Sequence, residues 1–372
     1  MLCMILVSCT GQKTGKENDN NDKIAIEVGE IKFPTQDVLQ LKSYYLSSSV
    51  HVDSIDYLIG YNYRLHSLDC MNLKSKSVTQ IVLPGDGPDA IVRLSGIYAQ
   101  SLDSVWISDE SERAFLIDSV GTIKRMIDLK KYLEDQEQLL INTNYAMFTS
   151  HLFYNASRHS LMFLVKHTPS NTFIVKEVFI DEVGKMATYQ LSSSKVVPDM
   201  SKGYAYINFP NVNFVGENIV YNYPVESSIY MLDIRTNERK YILADSHYTS
   251  NIIEKCTTSG DYATLEKHWL ENSHFYDIMY LPKYKIYARL HADKVDFDEK
   301  KGMEKLINER DLYLMLFDEN MEKIGETKLS NCRYSPFTSW NATYGGIALF
   351  VDNVLDEKNN TDDLTIDIIS LK

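Results

Sequence analysis

Four of the nine histidines, His247, His268, His274 and His291, and two of the three tryptophans, Trp269 and Trp340, are the side chains of this sequence best suited to holding a ligand. An imidazole can coordinate a metal or carry a proton, and an indole can stack on a sugar ring or clasp an apolar side chain. Spacing decides between these chemistries. A zinc site needs three or four converging ligands, usually with one close-spaced pair. His268 and His274 are six positions apart, which is neither a helical nor a finger-like spacing. Asp293, Asp296, Asp298 and Glu299 could offer oxygens to calcium, but Gly302 stands too late for the EF-hand register. That stretch, and 352–363 with it, reads as an acidic solvated loop. Neither a metal nor a cofactor is expected. The sequence contains no Gly-x-Ser-x-Gly elbow and no His-Glu-x-x-His pair. Paired carboxylates have no local signature, and 51 acidic residues give no means of choosing two. No catalytic residue is therefore singled out. Trp269, His268, His274, His291 and Trp340 remain as candidate ligand-binding residues.

The elements that must position them repeat. Residues 103–129, DSVWISDESERAFLIDSVGTIKRMIDL, contain three short runs at 104–108, 114–118 and 122–128. Each mixes β-branched or aromatic residues with polar ones, and Asp109-Glu110-Ser111-Glu112 and Ser119-Val120-Gly121 separate them as turns. Such a meander cannot bury both its faces alone and needs neighbours of its own kind. Similar units follow one another. The first has strands at 57–62, 64–69 and 77–83, and the second spans 94–128. The third spans 146–191, the fourth 207–243, the fifth 274–329 and the sixth 337–371. Four-stranded units at this spacing predict an all-β chain: a β-propeller of six blades, or seven if 23–52 hides another. Two packed sandwiches are the alternative. The sixth unit is short of one strand. The run 23–33 is expected to supply it by pairing near 364–370, closing the ring.

Propeller geometry places three long interruptions. Links from a fourth strand to the next blade, and from second to third strands, emerge on one face. The stretches 245–273, 291–310 and 352–363 are links of these kinds in adjacent blades, and long insertions in a tight repeat often carry function. The first predicts a short helical insertion between blades four and five. Asp261 is its N-cap, and Tyr262, Leu265 and Trp269 share one face at i, i+3 and i+7. Trp269 would reach a ligand as part of a lid, and Trp340 would do so from a channel-lining innermost strand. The same spacings also fit packing onto the propeller.

Composition narrows the partners. A formal net charge of -13 argues against nucleic acid or an anionic membrane surface. The 25 tyrosines suit half-buried strands. Cys70, Cys256 and Cys332 form no CxxC pair and read as small buried hydrophobes. At the N-terminus, Leu6-Val7-Ser8-Cys9 resembles a bacterial lipobox, although the apolar run 1–7 is short and has no basic residue before it. Residues 1–8 then read as the remnant of a signal peptide whose start lies further upstream. Cys9 is the lipidated residue, 10–22 a polar disordered tether, and 23–372 a single propeller domain.

The lipobox, the meanders and the segment Pro84-Gly85-Asp86-Gly87-Pro88 after the first unit together resemble the six-bladed, TolB-like β-propeller lipoproteins of Bacteroidetes-type bacteria, in which a Gly-x-Gly-Pro turn follows an outer strand. The resemblance implies an architecture and an address, namely an outer-membrane lipoprotein of the cell envelope facing periplasm or surface. It implies no reaction. The function expected is a lipid-anchored binding or interaction module, touching the membrane only through its anchor and presenting one decorated face to a glycan, peptide or protein. A carbohydrate-active enzyme, glycosidase or lyase, on the same face is the alternative.

Overall fold

The meander at 103–129 folds as its pattern predicts: Ser104–Asp109, Arg113–Ile117 and Ile123–Asp128 are consecutive antiparallel strands, with Leu94–Ser101 added on the inner side. Gly121 makes its last turn at φ +84°, where a Cβ would stand 2.4 Å from the Val82 carbonyl oxygen. Only glycine allows both that conformation and that approach of blade two to blade one.

A computed structural model describes residues 25–33, 41–141, 148–196, 204, 207–256, 261–358 and 363–372. The signal remnant, Cys9 and the tether at 10–22 lie outside the described residues. Six sheets, each built on four antiparallel strands, form the propeller. Blade one runs from Ser47–Val52 to Val78–Val82, and blade two from Leu94–Ser101 to Ile123–Asp128. Blade four runs from Asn211–Val215 to Arg239–Ile242, and blade five from His274–Leu281 to Lys323–Lys328. Blade three departs from the sequence reading. Its innermost position is shared by two pieces, Glu137–Leu140 and Phe153–Asn155, which pair with opposite ends of Ser160–His167. The third unit, expected to begin at 146, therefore takes in a strand upstream of that point.

Blade six closes the ring. Trp340–Ala342, Ile347–Phe350 and Leu364–Leu371 are completed by Ile26–Phe33, with every residue paired from Ile26↔Leu371 to Phe33↔Leu364. Arg333 fastens the junction by donating to Glu30 Oε2 at 2.9 Å on the closing strand and to Asp367 Oδ1 at 2.9 Å on its neighbour. On the channel side, blades six and one are stitched by Asn341 Nδ2 donating to Ser47 Oγ (2.7 Å) and Ser339 Oγ donating to the Tyr44 carbonyl (2.6 Å). No helix among the described residues is long and apolar enough to cross a membrane.

Among the described residues, two α-helices interrupt the sheets. α1 (Tyr262–Leu270) lies between blades four and five, as expected, with Asp261 at its N-cap. α2 (Met303–Asn308) lies between the second and third strands of blade five, in the link 291–310, where no helix was expected. Leu306 and Ile307 are the reason for it, since both pack into the large core cluster beneath the insertions.

Candidate functional site

The three insertions meet on one face of the ring. Arg310, buried at 3% exposure, donates from Nε to the Asp293 carbonyl (2.7 Å), from one terminal nitrogen to Asn272 (2.7 Å) and from the other to Trp269 (3.4 Å). Its guanidinium also lies 4.8 Å from the Trp269 ring centroid. One side chain thus ties α1 to the blade-five insertion. Asn353 brings in the third by donating to the carbonyls of Asn308 (2.9 Å) and Tyr334 (3.1 Å). Arg310 has carbonyl partners rather than a carboxylate, and burial pushes its pKa below the usual arginine value.

The residues singled out from sequence lie within the walls of this cap or below it. Trp269 is 3% exposed, its ring packs against Phe337, and its indole N–H donates to His274 Nδ1 at 3.3 Å. His268 makes a 2.7 Å hydrogen bond to the Glu254 carbonyl. His274 is fully buried, and burial, with Arg310 adding to it, holds its pKa well below the ordinary imidazole value. His291 is buried in the seam between blades four and five, 2.7 Å from Glu326. Trp340 is 2% exposed and donates to Asp277 Oδ1 at 2.8 Å. The structure brings Trp269, His268 and His274 together under the cap, whereas His291 and Trp340 stand apart. No ring among them offers the open face that ligand stacking needs, so these side chains shape the wall instead. The helical stripe also differs from expectation: Tyr262 is 68% exposed, and α1 docks through its last turn, His268 to Leu270. Arg310 holds the Trp269 carbonyl in that last turn, while the first residues of the helix stand exposed.

A cavity of about 760 Å³ opens on the same face, at the mouth of the central channel. Five of its twelve lining residues are aromatic, Tyr44, Tyr45, Tyr61, Tyr63 and Phe337, which gives it flat apolar walls. Tyr45 and Tyr63 are 58% and 52% exposed and so present their rings to solvent. Arg93 and Glu110 face each other at 3.6 Å on the rim. Behind the wall, Asp352 accepts from the Ser335 backbone N–H at 3.0 Å. Burial pushes its pKa up to about 6, against the opposing hydrogen bonds from Ser335, Ser43 and Thr338. It pins 43–46 and 335–338, the two segments that carry Tyr45 and Phe337.

Sequence reasoning missed Tyr45 and Tyr63, although a signal existed. Tyr45 enters the first strand of blade one, and Tyr63 follows the second. The face rule that placed the insertions places both on this mouth. A second cavity, about 310 Å³, lies at the other end of the channel and includes Ser48, His151, Asn213 and Asn341 in its lining. His151 Nε2 is 3.0 Å from Asp277. The sequence also contains one Ser-x-x-Lys tetrad, Ser192 to Lys195. Its lysine ammonium lies over the Tyr241 ring at 4.1 Å and its serine hydroxyl accepts from Arg239, an arrangement that serves packing. Among the described residues, no cluster of three or more His, Cys, Asp or Glu side chains could hold a metal.

The fold has solved relatives. One is the crystal structure of a member of the DUF4221 family from Bacteroides vulgatus ATCC 8482, which covers 95% of this chain and 99% of its own at a TM-score of 0.74 and 14% identity. Another is a Bacteroides fragilis NCTC 9343 protein inferred to be exported, covering 96% and 98% at a TM-score of 0.58 and again 14% identity. No protein of curated function matches the chain. The family profile described as "Domain of unknown function (DUF4221)" matches residues 17–328, and on that span, most of the propeller, the chain belongs to the DUF4221 family.

Proposed function

We propose that this protein is an exported, lipid-anchored binding module of the cell envelope whose ligand enters the central cavity on the insertion face. The observation that carries the reading is the cavity itself, about 760 Å³ with exposed Tyr45 and Tyr63 at its mouth. Ligand sites are concave, mostly apolar and oriented by few polar groups, and this cavity fits that description. The ligand it suits has a flat apolar face and a polar edge, as a glycan or an aromatic peptide side chain has. Its lining includes one carboxylate, Glu110, already paired with Arg93, whereas a glycosidase flanks the scissile bond with two. Binding is therefore favoured over hydrolysis. Export and anchoring are supported by the lipobox at Cys9 and by the exported description of the Bacteroides fragilis relative.

Screening the soluble chain from residue 23 against glycans and peptides tests the reading. Tyr63→Ala, at a half-exposed ring, is expected to melt near wild type and to weaken the ligand found by about 1 kcal/mol or more. Unchanged affinity in both Tyr63→Ala and Tyr45→Ala would place the ligand elsewhere. The anchor is tested separately, in cells expressing the full-length gene. Labelled palmitate is expected in wild type and absent in Cys9→Ala, and equal labelling of the two rules the anchor out.

A further inference from the structure

Three side chains from three blades meet at the end of the channel opposite the tyrosine-lined mouth. His151 stands just before the inner piece Phe153–Asn155 of blade three, Asp277 lies in the first strand of blade five, and Trp340 opens the first strand of blade six. Asp277 has no exposed surface. Its Oδ2 is 3.0 Å from His151 Nε2, and its Oδ1 accepts from the Trp340 indole N–H at 2.8 Å. A carboxylate oxygen only accepts, so His151 carries its proton on Nε2 and keeps a lone pair on Nδ1. That Nδ1 has no hydrogen-bond partner among the described residues, and it is not sealed from solvent. His151 lines the second cavity, about 310 Å³, and its side chain is 19% exposed.

A buried carboxylate that fixes one ring nitrogen while the other meets a cavity is the arrangement of a general base. The rest of the lining says what substrate it suits. It includes no Asp, Glu, Lys or Arg, so a charged substrate would find no counter-charge there. Ser48, also in the lining, accepts from the Ala99 backbone N–H at 3.1 Å. Its hydroxyl proton is left to donate to a carbonyl oxygen as that oxygen gains charge. Phe153 and Phe214, stacked with ring centroids 4.9 Å apart, give the space an apolar wall. At about 310 Å³ it stands at the small end of ligand sites, which run from about 300 to 1,000 Å³.

We propose that this second cavity is a hydrolytic site for small, uncharged carboxylic esters, with His151 as general base and Asp277 and Trp340 as its positioning residues. His151 Nδ1 takes a proton from water while the water oxygen bonds to the carbonyl carbon and the carbonyl electron pair moves onto oxygen. The pair then returns, the bond from that carbon to the alkoxy oxygen breaks, and the departing alkoxide takes the proton from Nδ1. An acid and an alcohol are released, and the imidazole is neutral again. The site does not depend on the ligand reading of the tyrosine-lined mouth.

The test uses the soluble chain from residue 23, with p-nitrophenyl acetate, p-nitrophenyl butyrate and phenyl acetate as probes. Saturable release of the phenol is expected from wild type. His151→Ala is expected to lower kcat about a hundredfold or more, and added imidazole to restore part of the rate. His151→Gln, whose amide can still donate to Asp277, serves if the alanine variant does not fold. Asp277→Asn turns an amide N–H toward Nε2 and moves the ring proton to Nδ1. It is expected to lower kcat with KM kept, and nitrogen NMR should show the Nε2–H tautomer of His151 in wild type and the Nδ1–H tautomer in the variant. Tyr63→Ala, at the far mouth, is expected to hydrolyse as wild type does. Equal rates in wild type and the His151 variant overturn the proposal, as does a panel in which no ester is turned over above the buffer rate. An Nδ1–H tautomer in wild type overturns it, and loss of the rate in Tyr63→Ala does so by moving the reaction to the mouth. A rate lost in folded His151→Ala that imidazole does not restore marks the histidine as a structural tie, and that overturns it too.

Discussion

A chain truncated to begin at residue 34 is expected to lose most of its cooperative thermal transition, while one beginning at residue 23 melts like the full-length protein. The closing strand Ile26–Phe33 is paired along its whole length with Leu364–Leu371, and Phe33 is fully buried in a cluster with Leu58, Phe350 and Leu364. Losing that phenylalanine side chain alone costs about 3–5 kcal/mol, set against a total stability of about 5–15 kcal/mol for ordinary domains. Truncation further exposes the edge of Leu364–Leu371 and takes Glu30 away from Arg333. It also removes the tie between the first and last blades, so loss at blade six can spread round the ring. Circular-dichroism melts of chains starting at residues 10, 23 and 34 check this. Equal melting of all three would mean that the register at 26–33 does not hold the ring.

That closure was legible because it follows from counting: a sixth unit one strand short and a strand-like run near the other end of the chain. The blades were legible for a related reason. Strands such as Arg113–Ile117 are short, mostly apolar runs, and polar turns punctuate them. What could not be read was depth. Trp269, His274, His291 and Trp340 drew attention because their types are rare and chemically able, yet burial decides what they do, and burial depends on contacts far apart in sequence. Trp340 meets Asp277 and Trp269 meets Phe337, separations of more than sixty residues. Tyr45 and Tyr63 failed in the opposite way. They are two of 25 tyrosines on strands and turns, and nothing local distinguishes an exposed ring at a channel mouth from one under a neighbouring blade. The split inner strand of blade three was hidden by its sequence: Glu137–Leu140 reads EQLL, four residues with no alternation of polar and apolar side chains.

Glu326→Ala is expected to destabilise the protein by about 3–5 kcal/mol, because it leaves a buried polar network without its acceptor. The Glu326 carboxylate accepts from Ser246 Oγ (2.6 Å), the His247 backbone N–H (3.0 Å) and His291 Nε2 (2.7 Å), across the seam between blades four and five. A carboxylate oxygen can only accept, so His291 carries its proton on Nε2, and its Nδ1, 3.2 Å from Thr249 Oγ1, is free to accept from that hydroxyl. Burial by itself would raise the Glu326 pKa, but the three donors outweigh it and bring it down to about 2. Burial lowers the His291 pKa, with Glu326 opposing. Both groups then act in the same direction. Glu326 adds stability that is present above its ordinary value near 4.5 and is lost as pH falls toward about 2. His291 resists protonation in the fold while the unfolded chain takes up a proton below about 6.5, so stability already declines from there downward. Asp352, whose pKa is raised to about 6, opposes this below pH 6 in wild type and variant alike, so the seam is read as the difference in denaturant midpoint between wild type and Glu326→Gln at pH 7, 6, 5, 4 and 3. Glu326→Gln should start lower at pH 7 and lose the part of the slope below 4.5, because a neutral amide has no charge to lose. A Glu326→Ala protein within about 1 kcal/mol of wild type would show the seam to be solvated rather than sealed. The seam lies away from the tyrosine-lined mouth, so below its lowered melting temperature Glu326→Ala should bind ligand as wild type does. That separation of stability from binding is the behaviour expected of a residue that holds blades together without touching what they carry.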